Sequence, residues 1–154
     1  MNIFVEIGRN EVFLTTISAW IITQGIKVCL GVIQHKHFDF RWFVGTGGMP
    51  SSHSAGAMAM AWVCGMMVGF DSVLFGIALL VALVTMFDAQ GVRREAGIQA
   101  VLLNKIVDDL SHQKKTVRED RLKELIGHTQ IEVLVGALIG IAIAVVWHYV
   151  FFRG

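Results

Sequence analysis

Charge is what this chain has least of. Charged side chains make up 16% of its 154 residues, where a soluble domain carries about a quarter. The net charge is +1, which fits poorly with a basic nucleic-acid module, and the low charge together with the high apolar content fits poorly with disorder. There is one proline and there are two cysteines, too few for a secreted disulfide scaffold. Cys29 and Cys64 both lie inside apolar runs, where a thiol behaves as a small buried hydrophobe and needs no partner. The opening MNIFVEIGRNEVF lacks the basic head and small-residue cleavage site of a secretory signal, so the first apolar run is expected to remain as a spanning segment.

What fills the space left by charge is apolar: 55% of residues are hydrophobic and the mean hydropathy is +0.62. The expectation is a single integral membrane domain over residues 1–154, all-α, because an open strand would leave backbone groups unpaired in lipid. Four stretches are near the length needed to cross a hydrocarbon core, Val12–Gln34, His53–Phe70, Ser72–Phe87 and Ile131–Phe152. The turn between the second and the third is no more than Gly69, Phe70 and Asp71, which makes those two an antiparallel hairpin. The long polar region Ala89–Gln130 is an insertion. Within it Ile98, Val101, Leu102, Ile106 and Leu110 recur at three- and four-residue spacing, which describes an amphipathic helix on the membrane or on the bundle. Thr116-Val-Arg-Glu119 then fits a capping box for a short helix that Gly127 would stop.

Lys and Arg orient the bundle. Lys36, Arg41, Arg93, Arg94, Lys105, Lys114, Lys115, Arg118, Arg121 and Lys123 lie on one side, against Arg9 and Arg153 on the other. By the positive-inside rule the two polar segments face the cytoplasm and both termini face out. Alternating the spans then gathers the unusual polar residues at one face: Lys27, Arg41, the run Gly47-Gly-Met-Pro-Ser-Ser-His53, Asp88, Arg93, Arg94, His128 and Glu132. Two rows at four-residue spacing, His53-Ala57-Ala61-Gly65-Gly69 and His128-Glu132-Gly136-Gly140-Ala144, put small residues where membrane helices pack closely, so each histidine is expected to point into the bundle.

The chemistry of this cluster suits an anion. A glycine turn at Gly47 and Gly48, a proline for the first helical turn, and the hydroxyls of Ser51 and Ser52 stand where a helix start offers unpaired N–H donors and the positive end of its dipole. Four cations and two histidines beside such a site suggest phosphoryl transfer: cations neutralise phosphate oxygens, one imidazole attacks and the other protonates the leaving oxygen. No Cys/His/carboxylate cluster has metal-ligand spacing, so neither metal nor cofactor is expected.

At these residues the chain resembles a known family. Pro50-Ser-Ser-His53 is similar to the central Pro-Ser-Gly-His motif of the type 2 phosphatidic acid phosphatase superfamily, which includes vanadium-dependent haloperoxidases. The strings GTGGMPSSHSAGAMA, FDAQGVRREAGIQAVLLN and LKELIGHTQIEVLVGALIG resemble its short, divergent branch from about Gly25 onward. The resemblance implies that His53 is the proton donor, that His128 forms a phosphohistidine, and that Glu132, four residues on, is the accompanying carboxylate. The chain departs from the family in two places. The superfamily's third motif has its arginine six residues before the nucleophile, whereas Arg93 and Arg94 precede His128 by 35 and 34, so the amphipathic segment would split that motif. The first motif, a lysine seven residues before Arg-Pro, is absent as such, and Lys27 and Arg41 are candidates by location.

Plainer roles compete at several positions. Pro50-Ser-Ser-His53 also reads as an ordinary capped helix start. Arg93 and Arg94 also read as topology anchors, Lys27 as a snorkelling side chain, and Asp88 as the partner of an arginine. Thr129-Gln-Ile-Glu132 is itself a capping box, which sets capping against orienting His128 as the role of Glu132. His35, His37, His112 and His148 read as interfacial or solvated, and Met58, Met60, Met66 and Met67 as packing filler. The reading that absorbs most of these observations is a metal-independent lipid phosphate phosphatase of the cytoplasmic membrane with its site facing the cytoplasm. Resemblance makes phosphatidylglycerophosphate the first substrate. Its partners would be that lipid and the bilayer, with a homo-oligomer allowed and no nucleic acid. A non-catalytic scaffold that binds anionic lipids would need the cations but neither histidine; vanadate-dependent oxidation would need bound vanadate.

Overall fold

The computed structural model describes residues 2–38, 48–111 and 127–152. They form a short α1 (Ile3–Ile7), α2 (Glu11–His35), α3 (Ser52–Val68), α4 (Val73–Gln90), α5 (Val92–Ser111) and α6 (Gln130–Trp147), which runs on into a π-helical turn at His148–Phe152. No strand occurs among the described residues. The expected helix at Thr116 lies outside them.

Each bundle helix starts where a short polar side chain can accept from its first turn. Asn10 accepts from the Phe13 N–H at 3.0 Å, Ser51 from Ser54 at 3.4 Å, Ser72 from Phe75 at 3.1 Å and Thr129 from Glu132 at 3.4 Å. Such caps contribute about 1 kcal/mol each. The α3–α4 hairpin turns at Gly69, whose φ of +97° no side chain adopts easily. The Ser72 hydroxyl donates back to the Gly69 carbonyl at 2.7 Å and closes the turn.

The central helix is α3, packed against α2, α4 and α6. Its buried residues are small, and the two core clusters are made almost wholly of alanine. Ala19, Ala59, Val63 and Ala144 join α2, α3 and α6, while Ala61, Cys64, Ala78 and Ala82 join α3 and α4. Large side chains such as Phe13, Ile17, Leu80, Val84, Leu134 and Leu138 are exposed. That arrangement inverts a soluble core and suits lipid, where large apolar residues gain nothing by hiding and close backbone approach is what holds helices together. The approach is tightest between α3 and α6. A Cβ on Gly136 or Gly140 would fall inside the carbonyl oxygens of Ser51 and Ala55, so only glycine fits.

Among the described residues, three stretches are long and apolar enough to cross a membrane: Glu11–Gln34, Val73–Asp108 and Gln130–Phe151. The expectation of about four spans includes one helix more. The additional helix is α3, whose 17 residues give it a length of about 26 Å at 1.5 Å per residue, and it is enclosed by the other three. Two expectations are corrected. Cys29 is exposed on the outer side of α2, and only Cys64 is buried. His148, expected at the interface or in solvent, is buried, and its Nδ1 is hydrogen-bonded to the Glu11 carboxylate across 137 residues of chain. The π-helical turn that begins at His148 packs against α2.

Candidate active site

Two helix N-termini meet at one end of the bundle. The Ser51 N–H, at the start of α3, donates to the Glu132 carbonyl in the first turn of α6 at 3.1 Å. The His128 N–H donates to the Ala89 carbonyl near the end of α4, also at 3.1 Å. That second bond clamps together the two ends of the insertion, so a segment far away in sequence begins and ends beside His128. The backbone of Arg93 and Arg94 follows directly on this clamp.

His128 precedes α6 and is only 4% exposed. Its Nδ1 lies 3.0 Å from Glu132 Oε2, and the Thr129 N–H donates to the same oxygen at 3.0 Å. Thr129 completes the capping box in the other direction. The two roles set against each other for Glu132 are thus held at once: it caps α6 and it orients His128. With Nδ1 occupied by a carboxylate, Nε2 is the ring atom left for chemistry.

Lys27 is buried at this end of α2, and Glu132 is the carboxylate whose charge acts on it. Gly48 rests against the lysine stem, where a Cβ would lie 3.8 Å from Cδ, an ordinary contact. What calls for glycine there is its φ of +82°, not space.

The hydroxyls of Ser51 and Ser52 are more committed than their sequence suggested. Both side chains are fully buried. Ser51 Oγ accepts from the N–H and, at 3.0 Å, the hydroxyl of Ser54, while the Ser52 hydroxyl donates to Gln24 Oε1 at 3.1 Å. They fasten α3 to its own first turn and to α2.

The small rows divide between two neighbours. Gly136 and Gly140 of α6 meet Ser51 and Ala55, not the row that carries His53. That row, through Ala57 and Ala61, belongs to the cluster with Ala78 and Ala82 of α4. His53, at the head of that row, is half-buried in the first turn of α3, and Asp88 is half-buried in the last turn of α4. Arg41 and the side chains of Arg93 and Arg94 lie outside the described residues. Gln24 was missed, although its signal was available: Glu11, Thr15, Thr23 and Lys27 form a polar stripe at multiples of four residues along α2, Gln24 adjoins it, and all five are buried. Among the described residues no three His, Cys, Asp or Glu side chains converge on a metal position.

A family model described as the Divergent PAP2 family matches residues 8–143. The chain belongs to the Divergent PAP2 family. It is also 39% identical over 157 residues to the uncharacterized membrane protein YuiD of Bacillus subtilis (strain 168), covering 96% of this chain and 99% of that one. No solved structure matches it. Membership suggests a phosphatase-like membrane protein without specifying a substrate, and the relative is described only as a membrane protein. For a Divergent PAP2 protein, the clamp between Ala89 and His128 has a direct consequence. It sets Ala89, four residues before Arg93, against the histidine from which the insertion separates it in sequence.

Proposed function

We propose that this protein is a metal-independent lipid phosphate phosphatase working through a phosphohistidine on His128. The observation that carries the reading is the His128–Glu132 pair, 3.0 Å apart, held between the N-termini of α3 and α6. Two helix starts favour an anion by their dipoles, and Lys27 adds a cation at the same end. His128 Nε2 donates its lone pair to phosphorus as the bond from phosphorus to the lipid oxygen breaks. The leaving alkoxide takes its proton from His53. Water then attacks phosphorus, gives a proton to His53, and releases phosphate as the P–N bond breaks and His128 is restored. Glu132 stabilises the imidazole while it carries positive charge. Gly48, Arg41, Arg93 and Arg94 complete the phosphate surroundings in this reading, Ser51 and Ser52 hold the α3 N-terminus in place, and Asp88 supports the site from α4.

An amphiphilic phosphomonoester suits a site at a bundle end whose outer walls are apolar, since its head group can reach the polar end while its tail stays in lipid. The resemblance of the motif strings makes phosphatidylglycerophosphate the first substrate to try, and the Lys/Arg distribution supports a site on the cytoplasmic face of the cytoplasmic membrane. The test is phosphate release by purified protein from phosphatidylglycerophosphate, phosphatidic acid and a polyprenyl phosphate, beside His128→Ala. Release from at least one lipid, lost in the variant, is expected. Lipid binding with no release from any of them would favour the scaffold.

A further inference from the structure

We propose that α5 is a membrane-binding helix whose apolar arc lies in the lipid leaflet on the same side as the His128 end of the bundle. Its surface divides into three arcs. Gly97, Ala100 and Asn104, at three- and four-residue spacing, are buried. Leu102, Leu103, Ile106 and Val107 form a contiguous patch that no part of the described bundle covers, with Leu102 at 55% and Ile106 at 53% exposed. Lys105 and Asp108 lie round the far side of the helix from the centre of that patch, with the exposed Ile98 and Val101 beside them nearer the helix start. A helix with one side on protein and a wide apolar side that carries charge toward one edge lies at a boundary between protein, lipid and water.

The leaflet is the occupant favoured by continuity. The lipid-type surface of α4, with Val81, Val84 and Phe87 exposed, runs up to Gly91, and α5 starts one residue later. The Ala89–His128 bond fixes that junction at the site end of the bundle. Crossing the membrane is ruled out for α5 by Arg93, Arg94, Glu95, Lys105, Asp108 and Asp109 within twenty residues. Standing straight out from α4 into water would leave the apolar patch wet. Lying along the leaflet buries it, and sets Arg93 and Arg94 at the depth of lipid phosphates. This placement stands without any catalytic reading of the site.

The test uses full-length protein reconstituted in vesicles of phosphatidylethanolamine and phosphatidylglycerol. Single cysteines at Leu102, Ile106, Lys105 or Asp108, in a Cys29→Ser, Cys64→Ala background, carry an environment-sensitive fluorophore, and circular dichroism verifies that each variant keeps its helix content. Probes at 102 and 106 are expected to emit to the blue. They should be quenched several-fold more by lipids spin-labelled at a shallow acyl carbon than by those labelled at a deep one. Probes at 105 and 108 should emit to the red and be quenched by aqueous iodide. Iodide access at all four positions would overturn the proposal in favour of a helix standing in water. Shielding of 102 and 106 from both lipid and iodide, relieved when protein is diluted in lipid, would overturn it in favour of a second copy. A Leu102→Glu, Ile106→Glu chain, labelled at a retained Val107→Cys, should lose the lipid quenching; retention would also count against it.

Discussion

The bundle carries a buried imidazole–carboxylate pair at each end, and the two are built alike. In both, a histidine no more than 5% exposed turns Nδ1 to a carboxylate. Their surroundings differ. His128 and Glu132 sit where α3 and α6 begin, with Lys27 near, so helix dipoles and a cation favour an added anion there. At the other end Glu11 occupies the first turn of α2 and His148 the end of α6. There the carboxylate already answers the positive end of a dipole and the imidazole the negative one. Nearby in sequence, Thr15 Oγ1 and Trp147 Nε1 are buried without a hydrogen-bond partner among the described residues. A histidine–carboxylate pair is therefore no catalytic signature by itself. What separates a reactive pair from a fastener is whether the surrounding field asks for one more negative charge.

Removing His128 should break this contrast most sharply. His128→Ala is expected to lower lipid phosphate hydrolysis by about 10⁴-fold or more and to abolish a labelled phosphoenzyme; a surviving phosphoenzyme would move the nucleophile elsewhere. His53→Ala comes next. It should cost about 10²–10⁴-fold on a lipid phosphate, whose alkoxide needs a proton, and far less on an activated aryl phosphate. Equal losses on both would remove the general-acid role.

The opposite end should respond in stability, not chemistry. His148→Ala leaves Glu11 buried alone, which costs about 3–5 kcal/mol in such pairs, whereas Glu11→Leu with His148→Leu should recover most of it. Thermal unfolding in detergent measures both, and activity per folded molecule should match the parent. A selective loss of turnover in the double variant would show that the two ends are coupled. Gly136→Ala should destabilise by about 1–3 kcal/mol, since the Ser51 carbonyl occupies the space a methyl would take; an unchanged unfolding temperature would mean that α3 and α6 are farther apart. The smallest effect is expected from excess EDTA, which should leave hydrolysis intact while vanadate inhibits it. Loss in EDTA with rescue by Mg²⁺ would assign the phosphate to a metal ion instead.

Much of the molecule is legible from local chemistry. The scarcity of charge makes it a membrane domain, the capping residues Asn10, Ser51, Ser72 and Thr129 mark where helices begin, and the Gly69 turn makes the hairpin. The motif strings carry the family. Those features depend on residues within a turn or two of one another, so sequence alone determines them. The tertiary structure decided the rest: that Ala57 and Ala61 pack toward α4 while Gly136 and Gly140 face Ser51 and Ala55, that Ser52 is fastened to Gln24, that His128 is clamped to Ala89, and that His148 reaches Glu11 from the far end of the chain. The reason is that spacing defines a stripe on a helix but not the rotation at which that stripe meets its neighbour. In a bundle cored by alanine and glycine many rotations offer similar apolar contact, so the choice falls to a few polar pairs and close backbone approaches that exist only once the helices are together.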